Sequence, residues 1–172
     1  LATENIRSTF FQCGMNVERH PDIARAVHAA GHEVGNHTHS HPHLYLKTPG
    51  FIDREITQAQ DIISQHLGTP PSLLRAPYGQ RWLGIGAVQK RHGLLGVMWT
   101  VIGQDWRWPA ERVADLVVRK ASPGGIVCLH DGRGIQPNPD LSIMLEAVKR
   151  IVPVLRDQGY SFEPVTTLLK SS

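Results

Sequence analysis

Glu33-Val34-Gly35-Asn36-His37-Thr38-His39-Ser40-His41-Pro42 sets a short β-rich run directly against a loop dense in imidazoles. Its first four residues read as a strand. After the loop, Ile52, Ile56, Ala59 and Ile63 recur at helical spacing across residues 51–67, which reads as a crossover helix. Gly68 supplies its stop, and Pro70-Pro71 prevents continuation. A further β-rich run at residues 73–75 completes a strand, helix, strand unit of the kind that builds a parallel sheet.

The same alternation extends in both directions. The β-rich runs fall at residues 8–12, 33–36, 73–75, 95–101, 125–130 and 160–163. Helical patterns begin at Pro21 and Asp22 and run to Ala30, with Gly31 as the stop, and recur over 83–91, 109–120, 141–157 and 165–170. In the 141–157 helix, Leu145, Val148, Ile151, Val152 and Leu155 share one face, and Pro153 is expected to kink it. With no internal repeat or linker, the reading is one α/β domain over residues 1–172.

Composition agrees. A chain with 41% hydrophobic and 19% charged residues can fill a core, which excludes wholly disordered and collagen-like classes. Its 18 Lys and Arg against 15 Asp and Glu are scattered, so no nucleic-acid track is expected. No window approaches the ~18 apolar residues of a membrane span, and no charged-then-apolar leader opens the chain. Cys13 and Cys128 each sit in an apolar run, as buried thiols do. Histidine stands out with ten residues, of which His32, His37, His39, His41 and His43 lie close together.

Ligands of parallel α/β proteins bind at the carboxyl ends of strands, so chemistry is sought just after each run. Gly14 follows the first and His37 to His41 follow the second. Two imidazoles four residues apart, His37 and His41, can face one cation such as Zn, Co or Ni; a solvated His-rich loop is the alternative. Arg75-Ala76-Pro77-Tyr78-Gly79 follows the third run, and joins a guanidinium that can fix a carboxylate to a rigid turn whose N–H can meet an oxyanion. Asp105-Trp106 and Leu129-His130-Asp131 close the fourth and fifth. Each alone also reads as a loop acid, a core indole or a packed histidine.

In this order, these segments resemble the polysaccharide deacetylase family, the NodB-homology domains of carbohydrate esterase family four. The second family motif is matched by His37-Thr38-x-x-His41-Pro42, the third by Arg75-x-Pro77-Tyr78-Gly79, the fourth by Asp105-Trp106 and the fifth by Leu129-His130-Asp131. The resemblance implies a distorted (β/α) barrel of about seven units. It implies metal-dependent hydrolysis of N-acetyl or O-acetyl groups on an acetylated glycan, with one divalent ion, zinc before cobalt or nickel, on His37 and His41. His130 would protonate the leaving group, Asp105 would hold that imidazole, and Arg75 would orient the carboxylate base. The Tyr78 N–H would stabilise the oxyanion, and Leu129 with Trp106 would line the acetyl pocket. Members acting on glycans are commonly exported or envelope-bound.

One motif has no counterpart. The family's first, a Thr-Phe-Asp-Asp-Gly-Pro-like stretch carrying the base and a carboxylate ligand, belongs upstream of the segment Asn5 to Gly14. The expectation is therefore an N-terminally incomplete domain, lacking its first strand, impaired as it stands, and open to self-association through exposed strand edges. Where the family often shows an acid three positions before Asp105, this chain has Ile102. Two other readings remain: a two-metal hydrolase built on His37-x-His39-x-His41, and a carbohydrate-binding relic without catalysis.

Overall fold

Ile52, Ile56, Ala59 and Ile63 are fully buried, as their spacing requires. They line the inner face of helix α3 (Pro49–Leu67), which Thr48 caps by accepting from the Phe51 amide and Gly68 ends in the left-handed conformation at φ 75°. The helix serves two clusters at once. Ile52 and Ile56 pack with Leu44, Leu74, Ala76, Ile85, Val88 and Leu94, and Ile62 and Ile63 pack with Val17, Ala24 and Val34. Because Ile56 has no solvent-facing surface, Ile56→Ala is expected to cost about 2–5 kcal/mol, as a large-to-small core change does. Chemical denaturation with an unchanged m-value is the check.

The structure, a computed structural model, describes Leu1 and residues 4–170. These residues form two compact units, Leu1–Met98 and Trp99–Ser172. In the first, strands β1 (Thr9–Gln12), β2 (Glu33–Asn36), β3 (Leu73–Leu74) and β4 (Leu95–Gly96) lie in the order β1-β2-β3-β4, every pairing parallel. Phe10 pairs with Val34, Gln12 with Asn36, Asn36 with Leu74, and Leu73 with Leu95. Helices α1 (Gly14–Arg19), α2 (Pro21–Ala29), α3 and α4 (Ile85–His92) complete this unit.

The second unit has a parallel pair, β5 (Val101–Ile102) with β6 (Val127–Cys128), and helices α5 (Ala110–Lys120), α6 (Ser142–Asp157) and α7 (Val165–Lys170). Its core joins Val101, Val113, Ala114, Val117, Ala147, Ile151 and Leu155. Both units are α/β with parallel strands, the class expected from the alternation. Among the described residues, no helix is long and apolar enough to cross a membrane.

Four local expectations change. The run at 95–101 is two strands in two different sheets, β4 and β5, because the chain leaves β3 after Val97 and pairs with β6 from Thr100 onward. Residues 160–163 form no strand: Tyr160 and Phe162 pack inward in alternation, which copies the strand pattern, but no ladder forms there. Helix α6 runs on through Pro153, and Leu145 is exposed on it while Ala147 takes the buried position. Helix α1 was not expected from the sequence, which offers no capping side chain at Cys13; burial of Val17 holds it. Both cysteines are buried thiols, as read.

Candidate active site

The loop after β2 is pinned from three sides. Asn36, fully buried at the end of the strand, donates through Nδ2 to the Ile56 carbonyl and to Gln60 Oε1, both at 2.9 Å, and accepts from the Thr38 amide at 2.8 Å. Glu55 on α3 accepts from the amides of His39 (3.1 Å) and Ser40 (2.8 Å) with one carboxylate oxygen and from the Ser40 hydroxyl (2.8 Å) with the other. The carbonyls of Thr38 and His39 accept from the amides of Gly14 and Met15 at the start of α1. This density of bonds sustains left-handed backbone at Thr38 (φ 65°) and His41 (φ 55°), which costs on the order of 1–3 kcal/mol per residue when unsupported.

The bent loop brings the His37 and His41 rings edge to face, 4.8 Å apart. His37 Nδ1 lies 2.6 Å from the Arg75 carbonyl oxygen. A carbonyl only accepts, so Nδ1 carries the proton and the lone pair sits on Nε2, the arrangement that orients a metal-binding imidazole. The donor chemistry therefore fits a divalent ion at these two residues. Among the described residues, no group of three or more His, Cys, Asp or Glu is arranged to hold one. His39 points elsewhere, since a Cβ added at Gly14 would lie 2.7 Å from His39 Nδ1 and 3.1 Å from the Ala59 Cα.

Arg75 follows β3 and is buried. It lies over the Phe11 ring at 4.1 Å and donates to the carbonyls of Val97 (3.4 Å) and Met98 (3.2 Å). Immediately after it, a tight turn at Pro77–Gly79 places Tyr78 in the left-handed region at φ 57°. The Tyr78 ring packs against His41 at 4.9 Å and stacks on His43 at 3.9 Å.

In the second unit, the loops after β5 and β6 meet at a carboxylate and an imidazole. Asp105 is fully buried; its Oδ1 lies 2.7 Å from His130 Nδ1, and its Oδ2 accepts from the His130 amide at 3.0 Å. Arg133 donates to the Asp105 carbonyl at 3.2 Å and holds a second guanidinium nitrogen 3.8 Å from Oδ2. Trp106, half exposed, meets the His130 ring edge-on at 4.8 Å. Leu129 packs on the unit's core and closes over Gly103, where an added Cβ would lie 2.4 Å from its Cδ2.

Burial pushes the Asp105 carboxyl up, but the hydrogen bonds and charge of His130 outweigh it and hold the group below its ordinary 3.8. A carboxyl depressed in the folded state stabilises the fold above its unfolded pKa, and that contribution is lost as pH falls through the folded one. Thermal stability is thus expected to drop as pH is lowered below about 4. In Asp105→Asn that part of the acid dependence should vanish, which melting curves across the acid range will read.

Thus His37, His41, Arg75 and Tyr78 come together in the first unit, and Asp105, His130 and Trp106 in the second, where the Leu129 side chain turns to the core and Gly103. Asn36, Glu55 and Arg133 were not singled out from the sequence. Each acts through bonds to residues 15 to 28 positions away, and an acid between two core isoleucines gives no sign of such a reach.

Parallel α/β units whose ionisable side chains gather just past the strand ends define a class of protein that does its chemistry in loops. The profile of the polysaccharide deacetylases matches residues 1–97. A chitooligosaccharide deacetylase of a Bradyrhizobium species is 32% identical over 98% of this chain and 80% of its own length. The chain also belongs beside a peptidoglycan-N-acetylglucosamine deacetylase of Bacillus cereus, 27% identical over the whole of this chain but 62% of that protein. Among solved structures, a peptidoglycan N-acetylglucosamine deacetylase matches with a TM-score of 0.90 and 26% identity, over 98% of this chain and 77% of that one. An acetyl xylan esterase of Clostridium thermocellum in complex with a cobalt ion gives 0.85 and 29%, over 99% and 79%. A family-four pseudoenzyme from Bacillus anthracis gives 0.88 and 26%, over 98% and 57%. The protein is a member of the polysaccharide deacetylase family.

Proposed function

We propose that this chain carries the imidazole pair and the acid of a metal-dependent deacetylase acting on N-acetylglucosamine polymers, of the chitooligosaccharide or peptidoglycan kind. The observation that carries the reading is the His37–His41 pair, with the His37 proton committed to the Arg75 carbonyl and its lone pair on Nε2. His37 and His41 would hold one divalent ion, zinc or cobalt; when bound, such an ion polarises an acetyl carbonyl and acidifies water. The cobalt-bound family neighbour supports that assignment.

The remaining chemistry belongs to side chains and backbone of this chain. Asp105 accepts the Nδ1 proton of His130, so Nε2 of that ring is the atom that exchanges protons and hands one to the departing amine. Among the described residues the Tyr78 amide has no hydrogen-bond acceptor, and as a donor in a rigid turn it would stabilise charge developing on the acetyl oxygen. Arg75, fixed by Phe11 and two carbonyls, would orient the base, and Trp106 and Leu129 would border the acetyl methyl.

No stretch of the 172 residues matches the family's first motif, so the base and a third ligand are not assigned among them. The pseudoenzyme neighbour, of which a mutant has restored enzymatic activity, supports keeping a non-catalytic glycan-binding reading as the second one. The two-metal reading needs His39 at the ion, and its ring lies against Gly14 instead. Acetate release from a chitin hexasaccharide, with zinc or cobalt supplied and then removed by chelation, tests the proposal: metal-dependent release supports it, whereas release that survives chelation overturns it.

A further inference from the structure

Beyond the imidazole pair, the same loop presents aromatic rings to solvent that the chemistry above does not use. Leu44 is fully buried in the core of the first unit, while its neighbours His43 and Tyr45 are exposed. Gln80 clips this segment in place. Its Oε1 accepts from the amides of Leu44 (2.8 Å) and Tyr45 (3.2 Å), so its Nε2 donates to His43 Nδ1 at 3.0 Å. On one side of the clip His43 lies flat on Tyr78, 3.9 Å apart and 6° from parallel, and Tyr78 in turn touches His41. On the other side Tyr45 leans on Trp82 at 4.4 Å, and Trp82 packs on the core.

Tyr45 and Tyr78 are 57% and 55% exposed although both are held rigidly, so their faces are preformed and cost little ordering to use. Exposed rings that adjoin one another, unlike a single exposed one, mark a recognition surface. The chain of contacts from His41 through Tyr78, His43 and Gln80 to Tyr45 makes this surface continuous with the proposed reaction site. A polymer that reacts at one ring extends past it, and a pyranose offers what the rings fit: an apolar C–H face that lies flat on an aromatic side chain.

We infer that Tyr45, backed by Trp82, is a binding platform for a sugar ring of the same glycan, at a position beyond the residue that reacts. The inference rests on the glycan reading above and adds where the polymer lies. Calorimetric titration of the protein with chitin disaccharide and with chitin hexasaccharide tests it, since binding needs no turnover. The hexasaccharide binds more tightly than the disaccharide; Tyr45→Ala weakens the hexasaccharide alone by about 3- to 10-fold, and Tyr45→Phe, which keeps the ring, binds as the wild type. Wild-type affinity for the hexasaccharide in Tyr45→Ala overturns the platform and leaves the glycan reading standing. Absence of binding by either sugar to the wild type overturns the glycan reading, and the platform with it.

Discussion

His41→Ala and His37→Ala each abolish divalent-ion binding, whereas His39→Ala lowers affinity by less than about tenfold. The asymmetry follows from where the loop sends its rings. His37 and His41 face each other at 4.8 Å, and His37 has its tautomer set by the Arg75 carbonyl. His39 is turned toward Gly14 and α3, and its backbone amide, not its ring, serves the site by bonding to Glu55. A chelate of two imidazoles that loses one keeps a single neutral donor, which a hydrated zinc or cobalt ion has little reason to prefer over water. Titration with cobalt, followed by its visible absorption, reads the loss directly. Equal loss in all three variants would point to an ion held by the whole His-x-His-x-His cluster.

The second large effect is expected at Asp105 and His130. His130→Ala lowers metal-dependent acetate release by about 10²- to 10⁴-fold, the usual contribution of a positioned acid. Asp105→Asn should come close to the same loss without removing the ring. An amide that turns its NH₂ toward Nδ1 favours the tautomer with the proton on Nε2, which reverses the direction in which the ring can pass a proton. The nitrogen chemical shifts of His130 separate this from simple unfolding, because they report the tautomer in a protein whose core packing is otherwise intact. A loss of activity with the Nδ1–H tautomer preserved would remove Asp105 from its assigned part.

Much of this architecture is legible in the amino-acid order because it rests on local periodicity. The isoleucines of α3 repeat on one face, Gly68 takes the left-handed stop that glycine permits, and the ionisable residues follow their strands at the expected ends. The division of residues 95–101 between β4 and β5 was not legible, since one continuous apolar run fits either one strand or two and only the partners β3 and β6 decide. Likewise, the bonds by which Asn36, Glu55 and Arg133 hold the site residues in place depend on elements far apart in sequence. Asp105 stands beside a Trp in a loop and can be picked out from the order of residues, whereas Glu55 lies inside a helix and only the fold brings it to the His39 and Ser40 amides.

The central claim is a single divalent ion on His37 and His41. Metal content per chain, measured after zinc loading and gel filtration in the wild type and in His41→Ala, tests it most directly. The account predicts one zinc per wild-type chain and none in the variant. Two zinc ions per chain, or one retained in His41→Ala, would contradict it.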